Sequence, residues 1–152
     1  MKSEFKSTRL EQSVLHLLHR SGQQAEVLFM RQTGQEDMTP RQYAVLLTVE
    51  ANEDISQTGL VGATGIDRST LADVVRRLVT RGWLARKRTK HDARMYAVKL
   101  TPKGKAALDH ARPAAKKADD VVLSTLNARQ RQDFLTTLAQ VVAGMDKLAL
   151  AA

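Results

Sequence analysis

Between Ser56 and Leu100 the apolar residues change their repeat, and that change limits the fold more than any other feature of the chain. Asp67 offers a carboxylate to cap a helix, Arg68-Ser69-Thr70 fill its first turn, and Leu71, Val74, Val75 and Leu78 follow at i, i+3, i+4 and i+7. This is one buried stripe on a helix that should stop at Gly82. Leu84 to Arg88 and Met95 to Leu100 then read as two strands around the polar loop Thr89 to Arg94. Tyr96, Val98 and Leu100 alternate as a half-buried strand does. Upstream, Ser56 can cap a short helix through Ala63, closed by the turn Thr64-Gly65 and weakened by Gly59 and Gly62.

The flanks are helical. Leu10, Val14, Leu17, Leu18, Ala25, Leu28 and Phe29 recur at helical spacing, which predicts a long first helix ending near Gly34. Thr39-Pro40-Arg41-Gln42 is a capping box with proline at the first helical position, opening a helix to about Ala51. Thr101-Pro102 opens another to about Leu123, with Pro113 as an expected kink. Asn127 to Gln130 caps a last helix that carries Phe134, Leu138, Val141, Val142, Met145 and Leu148 on one stripe. The predicted class is mainly α, with a small β-hairpin. The long terminal helices have little sheet to cover, so pairing with a second copy would bury them.

Charge separates this middle segment from the rest. The net charge is +8, and from Asp67 to Lys105 twelve Lys or Arg face three Asp, so that one segment carries the whole excess. Cysteine is absent, which removes thiolate metal sites, disulfides and thiol redox switches. The N-terminus lacks a leader pattern and no window is expected to reach the length of a membrane span, so the expected location is cytoplasmic. No G-x-S-x-G elbow, phosphate loop or dinucleotide fingerprint occurs, and Gly59, Gly62 and Gly65 have the wrong spacing for one. The chain does not read as an enzyme, and no cofactor is expected.

A short helix, a glycine turn, a second helix with small and cationic outer residues, and a basic hairpin is the order of a winged helix-turn-helix. In double-stranded DNA the outer face of the Asp67–Arg81 helix suits a major groove. Arg68, Ser69, Thr70, Asp73, Arg76 and Arg77 are its candidate contact residues. Arg86, Arg88 and Lys90 on the hairpin add phosphate contacts. Arg94 at its tip suits a minor groove, whose negative potential attracts a guanidinium. Asp92 would orient Arg94 rather than touch DNA, since a carboxylate repels phosphate. The alternative for the helix is a solvated charged face, and Asp73 could pair with Arg76 and Arg77 instead.

Leu60-Val61-Gly62-Ala63-Thr64-Gly65-Ile66-Asp67-Arg68-Ser69-Thr70-Leu71, then Leu78-Val79-Thr80-Arg81-Gly82-Trp83-Leu84, then Asp92-Ala93-Arg94 and Leu100-Thr101-Pro102-Lys103-Gly104, resemble the MarR family of bacterial regulators. The likeness runs from about Leu10 to Leu148. That family's wing usually reads Asp-Arg-Arg, and Ala93 replaces the middle arginine here. The resemblance implies one domain over residues 1–152, with a DNA-binding lobe at 39–100 and dimerisation helices at 8–35 and 101–150. It also implies a homodimer that binds a pseudo-palindromic operator, usually as a repressor. A pocket for a small-molecule effector would lie between the dimer region and the DNA-binding lobe.

For that pocket, His16, Arg20 and Gln23 stand at i, i+4 and i+7, and Tyr43 can add a hydroxyl. The resemblance, to a family whose members often release DNA on binding small aromatic acids, makes an aromatic acid or its coenzyme A thioester the expected effector class, and Arg20 could pair an acid's carboxylate in two hydrogen bonds. Plain solvent exposure of the first three, and a structural role for Tyr43, are the competing readings. His16 and His19 at i, i+3 are a thin basis for a metal, and none is expected. An effector-independent winged-helix protein, binding DNA architecturally, is the alternative function.

Overall fold

The computed structural model describes residues 9–34, 38–88 and 96–151. After a 3-10 turn at Leu10–Gln12 come α1 (Val14–Thr33), α2 (Pro40–Ala51), α3 (Gln57–Thr64), α4 (Arg68–Thr80), β1 (Leu84–Arg88), β2 (Tyr96–Leu100), α5 (Pro102–Val122) and α6 (Ala128–Ala151). The expected winged helix-turn-helix, mainly α, is what forms.

Capping chemistry sets the helix starts, as read from sequence for all but Ser13. Ser13, Thr39, Ser56, Asp67 and Thr101 each accept a hydrogen bond from a first-turn amide. Thr39 with Gln42 and Asn127 with Gln130 close full capping boxes. The end of α4 is a left-handed cap: Gly82 has φ +75, its amide donates to Val79 O, and the Trp83 amide donates to Leu78 O. Such a φ strains any residue with a Cβ, so the turn into β1 depends on glycine there.

Leu71, Val74, Val75 and Leu78 of α4 are buried against Val45 and Leu46 of α2, Leu60 of α3, and Leu84 and Val98 of the hairpin. Burying each such side chain is worth about 1.5–3 kcal/mol, so the outer face of α4 is held by the packing of its inner one. Along α5, Leu108, Ala111, Ala115 and Ala118 are buried within the same chain, where α5 packs chiefly against α1 and also meets α2. The small alanines let the helices approach closely. Glu50 of α2 pairs with Lys105 at 2.9 Å and with Arg112, both on α5, while Asp109 pairs with Lys105 at 2.7 Å and Arg112 at 3.1 Å. Glu50 and Asp109 are shifted below the usual carboxylate range, first by the hydrogen bonds these cations donate.

Two expectations need correction. Strand β2 does not alternate as expected: Ala97 and Val98 are both buried and Tyr96 is exposed. The cause is a third strand-like segment, since Ser56 bridges Ala97 and the Val98 amide donates to Ile55 O, covering the strand from its far edge. Helix α6 holds an 18-residue stretch of mean hydropathy 1.3, so it is long and apolar enough to cross a membrane by length and composition. No continuous apolar run marks it in the sequence, because its Leu, Val and Ala residues are broken up by Thr136, Thr137, Gln140, Asp146 and Lys147. None of its residues is buried, and Phe134, Val141, Val142, Met145 and Leu148 all lie exposed.

Candidate nucleic-acid interface

On α4 the buried stripe turns Ser69, Asp73, Arg76 and Thr80 to the opposite side, with Arg77 beside them. Arg68 and Ser69 are exposed and Thr70 is half-buried at the helix start. Asp67 Oδ1 accepts both the Thr70 amide and the Ser69 hydroxyl at 2.9 Å. Hydrogen bonding from Thr70, and then from Ser69, lowers the Asp67 carboxyl to about 2. Asp73 joins the two arginines below it: Arg76 Nη2 lies 2.5 Å from Oδ1 and Arg77 Nε 2.7 Å from Oδ2. Those hydrogen bonds, Arg76 first, hold the Asp73 carboxyl down. The ion pairing weighed for Asp73 therefore forms with both arginines, and the outer face carries a clamped pair rather than two independent cations.

On the hairpin, Leu84 pairs with Leu100 and Arg88 with Tyr96 in an antiparallel ladder. Arg86 and Arg88 are exposed, and Lys87 is tied back to Asp54. Lys90, Asp92 and Arg94, the wing-tip candidates, lie outside the described residues. Arg81 was missed from sequence: its guanidinium stacks 3.8 Å from the centroid of the Trp83 ring. The signal was an arginine two positions from a tryptophan across a glycine that reverses the chain.

A cavity of about 470 Å³ opens between α1, the start of α2 and the end of α5. Leu18, Phe29 and Val122 give it apolar walls, and His19, Gln23, Glu26, Arg41 and Asp119 give it polar ones. Of the four candidates for a ligand, Gln23 lines this cavity. His16 and Arg20 do not, and Arg20 is exposed. One residue step turns a helix by about 100°, so Arg20 projects well away from its neighbour His19. Tyr43 is half-buried against the core, its ring tilted 52° to Phe29 at 5.5 Å, and burial pushes its hydroxyl pKa up. It stands behind the cavity wall through Phe29. Among the described residues no cluster of three or more His, Cys, Asp or Glu could hold a metal.

The family model matching residues 36–95 is that of the MarR family. The HTH-type transcriptional repressor NicR of Pseudomonas putida is 29% identical over 131 residues, 86% of this chain and 83% of NicR. Three solved structures are similar throughout. BpsR of Bordetella bronchiseptica, whose DNA binding is regulated by 6-hydroxynicotinic acid, has a TM-score of 0.83 and 28% identity, covering 91% of this chain and 97% of its own. The PcaV transcriptional regulator of Streptomyces coelicolor has a TM-score of 0.72 and 30% identity, covering 87% and 96%. The transcriptional repressor CouR bound to a 23-mer DNA duplex has a TM-score of 0.83 and 29% identity, covering 92% and 99%. CouR is also known bound to p-coumaroyl-CoA.

Proposed function

The chain belongs to the MarR family of winged helix-turn-helix transcriptional regulators, and on that premise we propose that it is a homodimeric repressor that binds a pseudo-palindromic operator and releases it when a small aromatic acid fills the α1–α2–α5 cavity. The family is one of DNA-binding regulators and not of enzymes. The observation that carries the proposal is the outer face of α4. Its apolar side is locked in the core, the opposite side presents Ser69, Asp73, Arg76 and Arg77, and Arg86 and Arg88 of the wing are exposed as well. Such a helix fits a major groove, with the wing at the neighbouring minor groove and Arg94 at its tip.

Dimerisation is supported by the exposed apolar residues of both termini: Leu10, Val14, Leu15 and Leu17 at one end, and the α6 stripe at the other. Exposed apolar side chains gathered on the terminal helices mark an interaction surface. Residues 8–35 and 101–150 then form the dimer region and residues 39–100 the DNA-binding lobe. The molecule works where the chromosome is, in the cytoplasm.

For the effector, Arg41 and His19 suit a carboxylate, Gln23 an amide or hydroxyl contact, and Leu18, Phe29 and Val122 an aromatic ring. BpsR's 6-hydroxynicotinic acid is a molecule of this kind. A coenzyme A thioester is the second reading. The observation that favours it is a groove of about 410 Å³ along α1, lined by Gln24, Val27, Leu28 and Arg31 and sharing Gln23 with the cavity, which would receive the tail. Release follows from differential affinity: a ligand binding a state with misplaced reading helices ten times more tightly lowers operator affinity tenfold. The test is titration of hydroxylated aromatic acids and their thioesters into the protein–operator complex, for the wild type and Arg41→Ala. Release by an acid, with the midpoint moved upward in Arg41→Ala, is expected. Operator affinity unmoved by any of these compounds would favour effector-independent binding.

A further inference from the structure

At Ser69 and Asp73 the outer face of α4 offers acceptors, although the helix lies in the most basic segment of the chain. Ser69 has a single hydroxyl hydrogen. Asp67 is ionised and can only accept, so the 2.9 Å bond between them must be donated by Ser69. What Ser69 Oγ then offers outward is lone pairs. One turn further on, Asp73 projects from the same face as a carboxylate, again acceptor-only, with Arg76 and Arg77 drawn onto it from the next turn. The positive end of the α4 dipole is meanwhile occupied by the Asp67 carboxylate, so this end of the helix does not seek phosphate.

Resting on the regulator reading above, we propose that Ser69 and Asp73 form an acceptor track that selects bases carrying an amino donor on the major-groove edge, adenine or cytosine, at two positions of each half-site. Phosphate oxygens cannot donate and so cannot satisfy either group. Adenine N6 and cytosine N4 are the amino donors in the major groove. Ser69 and Asp73 are four residues apart, about 6 Å along the helix axis, so the two selected positions lie about two base-pair steps apart. Asp73 has a second role as a positioning residue. Held through Nε, Arg77 keeps its terminal Nη1–Nη2 edge free for the O6 and N7 acceptors of a guanine.

The experiment is selection from a randomised duplex pool by wild type, Ser69→Ala and Asp73→Asn, followed by affinity measurement on the selected operator. A second duplex has the selected adenine or cytosine replaced by an analogue lacking the amino group. The wild-type pool should show a half-site motif with two positions restricted to adenine or cytosine. Ser69→Ala should lose the restriction at one of them and Asp73→Asn at the other, with melting temperatures matching wild type. The operator lacking the amino group at the position Ser69 selects should bind wild type roughly three- to tenfold more weakly and bind Ser69→Ala no differently from the normal operator. A motif identical in all three pools, or a Ser69→Ala loss uniform over all sequences as for a phosphate contact, overturns the acceptor track alone. A wild-type pool with no half-site motif overturns the regulator reading as well.

Discussion

Replacing Gly104 by alanine should destabilise the protein although it improves the helix. On propensity alone, alanine in place of a helical glycine gains about 1 kcal/mol. At this position a Cβ would stand 2.0 Å from the Trp83 carbonyl oxygen, 2.8 Å from its carbon and 3.0 Å from Leu100 Cδ1. The first of these is about 1 Å inside the closest approach real side chains make, and it is made to backbone, which cannot rotate away. Relief requires α5 to lift from the α4–β1 corner. There the Thr101 amide donates to Trp83 O at 3.1 Å, and Thr101 Oγ1 meets Gly82 O at 2.5 Å and Trp83 O at 3.1 Å. Overpacking costs about 1–3 kcal/mol, and each weakened hydrogen bond about 1 kcal/mol. With one such bond lost these outweigh the propensity gain, for a net loss of about 1–3 kcal/mol. Gly62→Ala on α3 is the control: nothing lies within 4 Å of its Cβ, so it should gain up to about 1 kcal/mol. Urea unfolding at one fixed protein concentration measures both, and Gly104→Ala should also weaken operator binding by shifting the wing's base. A Gly104→Ala protein as stable as wild type would refute the close approach of α5 to the corner.

Three further outcomes follow from named contacts. Thr101→Val removes the α5 cap and the bonds to Gly82 and Trp83, and should cost about 1–3 kcal/mol in the same unfolding assay; Thr101→Ser should stay near wild type, and equal losses would refute the hydroxyl's role. Asp67 titrates at about 2, below its ordinary 3.8, so it adds stability that is complete above its unfolded value and lost as pH falls from about 4 toward 2; unfolding midpoints across that range should fall less steeply for Asp67→Asn, and parallel profiles would refute the assignment. Arg94→Ala should weaken operator binding by about 1–3 kcal/mol if the wing tip enters a minor groove; unchanged affinity at moderate salt would mean that it does not.

Most of the fold was legible because its boundaries are local. Thr39, Ser56, Asp67 and Thr101 cap where their side chains stand, and the stripe Leu71, Val74, Val75, Leu78 names its own buried face. Strand β2 was only half legible, since Ala97 is buried by Ser56, which lies 41 positions upstream and carries no local mark of that pairing. The same limit explains the cavity. Its lining joins α1, the start of α2 and the end of α5, so His19, Glu26, Arg41 and Asp119 share a site without sharing a motif. Of the α1 candidates grouped by spacing alone, Gln23 falls on the cavity wall and Arg20 on a face turned away from it. On α4 the i, i+3 and i, i+4 spacings from Asp73 to Arg76 and Arg77 made both pairings legible.

Footprinting on genomic fragments retained by the purified protein, with the protein's mass in solution measured on the same sample, tests the central claim most directly. A dimer reading DNA through two copies of α4 should protect two inverted half-sites centred about 10 bp apart, with one dimer per site. A stable monomer, or protection without a repeated motif that spreads along the duplex as protein is added, would contradict it.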